Sequence, residues 1–376
     1  GCEALADALA ERFAEGGTRA FDSDLIGAKA FGEPVRVLAC SYEETPREEE
    51  RDSSSDSPVG RNLGGCRIGF DLGGSDRKSA AVVDGTVVFS EEVKWDPYFE
   101  SDPSYHIEGI HDSLKRAAAH LPRVDAIGGS AAGIYVNNEP RVSSLFRGVS
   151  TEDFDRCVRG IFRDLKERWN DVPFEVANDG EVTALAGAME LGCGGVLGLA
   201  MGTSQAAGYV DEGGSITTWI NELAFCPVDY RDDAPADEWS GDVGCGVQYF
   251  SQQAVARLAV LAGIEFNGDM PLPERLIEVQ RLMAKGDEKA HKVYQTIGAY
   301  FGYSIAHYAD FYDIRHLLIL GRVTSGEGGQ LMIDTAMVVL EDEFPALAKN
   351  ITMSTPSEQL KRHGQAIAAA SLPKIS

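Results

Sequence analysis

The spacing of apolar and polar positions changes character along the chain, and each change marks a boundary. Leu5, Leu9 and Phe13 recur at fourfold spacing, which predicts an amphipathic helix over residues 4–14. Pro34 to Cys40 reads as a short strand, and Tyr42 to Gly65 as an acidic, Ser-rich loop. From Cys66 the pattern is α/β. Strands are expected at 66–72, 78–83 and 86–92, with Asp84-Gly85 as a hairpin turn. A helix at 106–120 and a strand at 124–129 follow. Ser150 or Thr151 caps a helix predicted to run to Asn170. Next come a strand from Phe174 to Ala177 and an Ala-rich helix stopped by Gly192. The last block holds a hairpin (196–210), an irregular stretch (221–247) and helices near 248–262, 273–285 and 287–312. It closes with a buried strand, Leu317 to Leu320, a helix near 328–341 and a final helix from Ser357 to Ala370. The strand–turn–hairpin unit occurs at 66–92 and again at 196–210, which predicts a duplicated α/β domain.

Two glycine-hydroxyl turns stand between paired strands: Asp71-Leu72-Gly73-Gly74-Ser75 and Gly202-Thr203-Ser204. Such a turn lets backbone N–H groups converge on an anion, because no Cβ blocks the approach. Each alone is also an ordinary hairpin turn; together, in matching context, they predict a clamp for a polyphosphate. Asp71 beside the first cradle makes sense if Mg²⁺ bridges it to phosphate. Arg77 and Lys78 add positive charge. Asn178-Asp179 sits at the carboxyl end of a strand, where ligands bind in open α/β sheets. Asp179 there can take the proton of an attacking hydroxyl, or serve as a helix cap; the two roles are compatible. Gly321 and Arg322 open a turn suited to an adenosine, or form an ordinary strand-to-helix loop. Glu222 lies in an apolar run and can accept hydroxyl hydrogen bonds or sit at the surface. Asn178 and Asn138 join it as expected substrate contacts. Asp237, Glu238, Trp239 and Asp242 could cradle a polyol or be solvated. The seven histidines form no metal-ligand set, and His307 reads as a core or interface residue.

Length and charge narrow the classes. The 376 residues are enough for two domains with full cores. A net charge of −25 repels nucleic-acid phosphates and argues against such a partner. No apolar run approaches the roughly 20 residues that span a membrane, so no membrane partner is expected, and no signal peptide is read at the N-terminus. Seven scattered cysteines without CxxC or CxC predict a reduced, cytoplasmic protein with buried thiols.

In this order, Asp71-Leu72-Gly73-Gly74-Ser75, Asn178-Asp179 with its Ala-rich helix, Gly202-Thr203-Ser204 and Leu320-Gly321 resemble the sugar kinases of the actin-like ATPase superfamily. The nearest pattern is the ROK family (repressors, uncharacterised frames and sugar kinases), over residues 66–370. The resemblance implies an α/β protein of two actin-like (ribonuclease H-like) domains, with ATP and Mg²⁺ in the cleft. The expected division is an extension at 1–65, a first domain at 66–178 joined by the C-terminal helix 357–376, and a second at 179–356. It implies Asp179 as general base. Asp71, Gly73, Gly74 and Ser75 match the first phosphate motif, Gly202, Thr203 and Ser204 the second, and Gly321 the adenosine motif. A homodimer is a further implication, with no sequence feature of its own behind it.

The departures matter as much. ROK kinases carry Glu-x-Gly-His at the sugar site, then a cysteine cluster that binds zinc. Here Glu222 is kept, Phe225 stands for the His, Val247 for a second Glu, and only Cys245 is left of the cluster, so no structural zinc is expected. Loss of two hydroxyl partners costs a glucose-like ligand roughly 1–3 kcal/mol each. Arg322 replaces a glycine of the adenosine motif. The extension counts 14 Asp and Glu against 7 Lys and Arg and shows no helix-turn-helix pattern, which argues against a DNA-binding domain. The leading expectation is an ATP-dependent kinase acting on a sugar or polyol other than glucose. A non-catalytic ligand sensor and an actin-like ATPase without a sugar acceptor are the alternatives.

Overall fold

The computed structural model describes residues 2–44, 60–217, 219–357 and 364–375. Most of the expected acidic loop, and the early turns of the expected last helix, lie outside the described residues. The chain opens with α1 (Glu3–Phe13), the helix its fourfold spacing predicts. A second helical segment was not foreseen: α2 (Ala20–Asp22) runs on into a π-helical turn, Ser23–Phe31. Pro34 to Cys40 forms no strand. Its residues alternate in character, but a strand needs a ladder partner and a face to bury; Leu38 is instead 79% exposed.

The first lobe is built on β1 (Cys66–Leu72), β2 (Asp76–Val83), β3 (Thr86–Lys94), α3 (Pro103–Ala118) and β4 (Ala126–Ala131). A small hairpin that the sequence reading missed, β5 (Ile134–Val136) and β6 (Glu139–Val142), follows. The expected helix at 150–170 is split: α4 (Thr151–Asp153), a π-helical turn, then α5 (Ile161–Arg168). Gly160 at the break disfavours a continuous helix by about 1 kcal/mol. β7 (Phe174–Asn178) completes a sheet of order β3-β2-β1-β4-β7. β1 is buried on both faces, and Ile68, Phe70 and Leu72 pack with Ile110 and Leu114 of α3 and Phe162 and Leu165 of α5. Each such side chain contributes roughly 1.5–3 kcal/mol on burial.

The second lobe has α6 (Asp179–Leu191), β8 (Val196–Met201), β9 (Gln205–Val210), α7 (Gln252–Leu261), α8 (Leu272–Met283), α9 (Glu288–Tyr308) and β10 (His316–Leu320). α10 (Gly326–Glu343), α11 (Pro345–Asn350) and the unforeseen β11 (Thr352–Ser354) follow, and then α12 (Gln365–Ala370), which packs on the sheet of the first lobe. The sheet of the second lobe runs β11-β10-β8-β9. In both sheets a hairpin strand lies antiparallel to the first strand (β2 on β1, β9 on β8), and two parallel strands follow on the other side. The two lobes are therefore one unit used twice, as the repeated strand–turn–hairpin pattern predicts.

α12 returns from the second lobe to pack on β1, β4 and α6. Two paired glycines make the room. Gly69 and Gly128 face each other across β1 and β4, and a Cβ on them would fall 1.9 Å from Ala366 O and 1.7 Å from Ala369 O. No disulfide is formed among the described residues; Cys66 and Cys245 are buried, whereas Cys2 and Cys40 are exposed, against the expectation of buried thiols throughout. No described helix is long and apolar enough to cross a membrane.

Candidate functional site

Strand register assembles the site. Asp71 at the end of β1 pairs with Lys78 on β2 and with Ser130 on β4, and Ala131 beside it pairs with Asn178 on β7. The carboxyl ends of three parallel strands thus meet at one edge. Ser130 Oγ donates to Asp71 Oδ1 at 2.7 Å, and Gln365 Nε2 of α12 donates to Ser130 Oγ at 3.1 Å. Lys78 Nζ stands 3.7 Å from Asp71 Oδ2 and 3.3 Å from Asp76 Oδ1. Burial pushes the Asp71 carboxyl up to about 6. Mg²⁺ keeps several waters and takes one or two carboxylates plus phosphate oxygens. Asp71 fits that demand, since Oδ1 is held by Ser130 and Oδ2 meets only the Lys78 ammonium. Among the described residues no group of three or more His, Cys, Asp or Glu could hold a metal ion.

The glycine turns are tighter than expected. Gly73 N–H donates to Asp76 O at 2.9 Å, and Gly202 N–H to Ser204 O at 2.9 Å. These two N–H groups close the turns and do not point at an anion. The inner N–H groups, of Gly74 and Ser75 and of Thr203 and Ser204, have no described backbone partner outside the ladder. The space freed at Gly74 is also taken: an added Cβ would lie 1.9 Å from Tyr98 Oη. Ser75 Oγ bonds Asp76 Oδ2 at 2.8 Å. Thr203 and Ser204 are exposed. Gly321 follows β10, whose Leu320 pairs with Ala200, so it abuts the second turn. It holds φ 104°, and a Cβ would meet Met201 O at 2.3 Å. Arg322 is exposed, with its carbonyl accepting from Gln280 Nε2 at 2.7 Å.

Asp179 opens α6, and Asn178 caps it: Asn178 Oδ1 accepts from Gly180 N at 2.7 Å. Asn178 Nδ2 donates to Gly133 O at 2.8 Å. Asn178 makes the shorter bond to Gly180 N, and Asp179 Oδ1 accepts from the same group at 3.0 Å. Burial raises the Asp179 pKa. Asp71, Glu181 and Glu222 all lie within electrostatic reach of it. Burial pushes Glu222 up to about 7 and Glu181 up to about 8. Glu181 was missed from the sequence, where it reads as an acid in the first turn of a helix. Asn221 Nδ2 reaches it at 3.4 Å, and Tyr312 Oη holds Asn221 Oδ1 at 3.0 Å.

Two groups of residues singled out from the sequence have partners of their own. Asn138 is spent on the edge of β7: Nδ2 donates to Phe174 O and Glu175 Oε2, and Oδ1 accepts from Val176 N at 2.6 Å. Both amide hydrogens and one lone pair of the oxygen are thus engaged within the first lobe, which argues against the expected substrate contact. The Asp237–Asp242 loop is partly folded in on itself, with Trp239 still 64% exposed. Asp237 Oδ2 accepts from the N–H groups of Trp239 and Ser240, and Asp242 is buried. Trp239 packs on Phe21 and Phe225 at 5.1 and 5.6 Å. His307 is half-buried, with Nε2 3.8 Å from Cys226 Sγ.

The clustered carboxyls have a measurable consequence. Glu222 is protonated more readily in the folded chain than in the unfolded one. Its contribution to stability is full below about 4.5 and is lost as pH rises through about 7. At about 1.4 kcal/mol per tenfold in acidity, discounted for partial exposure, this amounts to about 2–3 kcal/mol. The melting temperature is expected to fall between pH 5 and 9, and Glu222→Gln to flatten that slope in thermal scans.

Solved structures share this fold. A ROK hexokinase from Thermus thermophilus aligns with TM-score 0.64 and 20% identity, over 82% of this chain and 97% of its own. A ROK family transcriptional regulator, a homolog of the E. coli MLC protein, aligns at 0.63 and 17%, over 86% and 82%. A ROK family glucokinase from Streptomyces griseus, solved with glucose and AMPPNP, aligns at 0.56 and 20%, over 82% and 99%. At such identities the likeness establishes the fold: two actin-like lobes. No family profile matches the chain, and no curated protein matches it.

Proposed function

We propose that this chain transfers the terminal phosphoryl group of ATP·Mg²⁺ to a hydroxyl of a sugar or polyol other than glucose. The observation that carries the reading is Asp179: a desolvated carboxylate that shares the cap of α6 with Asn178 and lies within electrostatic reach of Asp71, at the edge where the strand ends converge. The shared fold with a hexokinase and a glucokinase supports sugar phosphorylation in general. Phe225, wedged against Phe21 and Trp239, presents no hydroxyl partner and supports an acceptor other than glucose.

In this reading Asp179 accepts the proton of the attacking hydroxyl, and Glu222 with Asn178 orients the acceptor. The inner N–H groups of both turns hold phosphate oxygens, and Lys78 offsets their charge. Gly321 and Arg322 line the nucleoside. Asp71 would hold Mg²⁺ through phosphate or water, and the ion would supply charge neutralisation on the transferred group. The remaining barrier reduction comes from positioning and from water excluded on lobe closure.

The deciding experiment measures ADP release from ATP·Mg²⁺ with a panel of hexoses, amino sugars, pentoses and polyols. ADP formed only with one acceptor is the expected result. ATP loss without any acceptor would indicate an actin-like ATPase. No ADP, with ATP still raising the melting temperature, would favour a ligand sensor, a role that the fold shared with a transcriptional regulator also accommodates.

A further inference from the structure

Residues 19–31 take no part in the catalytic reading, yet they touch both lobes. α2 and the π-helical turn after it make one short rod, ended by Gly32 at φ 86°. Its leading end sits on the second lobe. Arg19 Nη2 donates to Phe225 O at 3.4 Å, Arg19 pairs with Asp22 at 2.5 Å, and it reaches the buried Asp242 at 3.4 Å. The Phe21 ring lies 5.3 Å from Phe225 and 5.1 Å from Trp239. The trailing end, Ser23–Phe31, packs on β5 and β6 of the first lobe. Leu25 and Ala30 are buried in one apolar cluster with Ile134 from the first lobe and Ala224, Phe225, Cys245 and Val247 from the second.

Both anchorages border the candidate site. Phe225 lies three residues beyond Glu222, on the same short loop. Gly133, just before β5, accepts the hydrogen bond of Asn178 beside Asp179. The two grips differ in kind. The second lobe holds the rod by a buried ion cluster and an aromatic group, and removal of Arg19 would leave two carboxylates close together and unpaired. The grip on β5 and β6 is mainly apolar, non-directional, and can be broken and remade without stranding a charge.

We propose that residues 19–31 are a strap that ties the lobes together across the substrate side of the cleft. It travels with the second lobe and unlatches from β5 and β6 when the cleft opens. The strap stands on contacts alone; only its effect on an acceptor rests on the kinase reading above. It gives the extension a purpose: residence time of the acceptor is set by a latch outside the two repeated lobes.

The test compares the full chain with Leu25→Asp and with the milder Leu25→Ala. Hydrogen exchange is followed at 134–142, at 20–31 and in β1 and β8, and the radius of gyration is measured by solution scattering. Leu25→Asp is expected to speed exchange at 134–142 by about tenfold or more, with β1 and β8 unchanged. The radius of gyration is expected to rise. If β1 and β8 also exchange faster, the fold itself has failed, and Leu25→Ala then decides by the same measure. Unchanged exchange at 134–142 and an unchanged radius in a folded variant would overturn the strap. With an active acceptor in hand, its KM is expected to rise by roughly fivefold in the same variant while the melting shift with ATP persists. An inactive parent chain with the expected exchange pattern would sink the kinase reading and leave the strap standing.

Discussion

Asp179→Asn is expected to lower phosphoryl transfer by a factor of roughly 10²–10⁴, the usual worth of a positioned base. The loss should appear in kcat, with the melting shift caused by ATP·Mg²⁺ intact. The variant should fold, because Asn178 Oδ1 accepts from Gly180 N at the start of α6, and the amide oxygen of Asn can keep the bond that Asp179 Oδ1 accepts there. Burial raises the pKa of Asp179, so the acid limb of kcat/KM in the parent chain should lie above the usual carboxylate range. The base must be ionised to act, so activity should climb as pH rises through that limb. Rapid-quench or coupled-assay turnover across pH 4–9 reads both effects. Turnover in the Asn variant equal to the parent would remove Asp179 from the chemistry.

Gly128→Ala is expected to be strongly destabilising, since at no other described glycine would a Cβ fall closer to a neighbouring atom. The new methyl would lie 1.7 Å from Ala369 O and 2.6 Å from its carbonyl carbon, both backbone atoms that no rotamer can move. α12 would have to lift from β1 and β4. Overpacking against a backbone costs about 3 kcal/mol or more, which is a fall of roughly 4 °C or more in a chain of 376 residues. Gly64→Ala, with nothing within 4 Å of its Cβ, is the matched control and should be neutral. Equal melting temperatures for the two variants would mean that α12 is not seated as described.

The strongest periodic signals were read correctly, and they concern the repeated core. β1, β8 and β10 are short apolar runs bounded by turns, and the hairpins after β1 and β8 are marked by glycine and hydroxyl residues. Register then does what periodicity cannot: it sets Lys78 and Ser130 on either side of Asp71. The unread parts are those whose order comes from partners distant in sequence. Residues 20–31 fold as they do because Phe225, Trp239 and Asp242 receive them. β5, β6 and β11 are three or four residues long, too short to carry a period. Pro34 to Cys40 had the right alternation and no ladder to join. Glu181 looked like a first-turn acid favoured by the helix dipole; only the arrival of Asn221 and Glu222 from after β9 makes it part of a carboxyl cluster. Asn138 failed for the converse reason, since an unpaired strand edge claimed its amide.

The seat of α12 also constrains how the protein is made. β1 emerges early and its trough of glycines is filled only by residues 365–370, about 300 residues later along the chain. A ribosome adding 5–20 residues per second therefore holds the first lobe open for roughly 15–60 s. During that interval Ile68, Phe70 and their neighbours can pack with α3 and α5, while the opposite face of β1 and β4 stays bare. The two lobes, though repeats of one unit, therefore become mature together, because the bare face of the first stays exposed to chaperones until residues 365–370 have been made, after the second lobe's sheet has been synthesised.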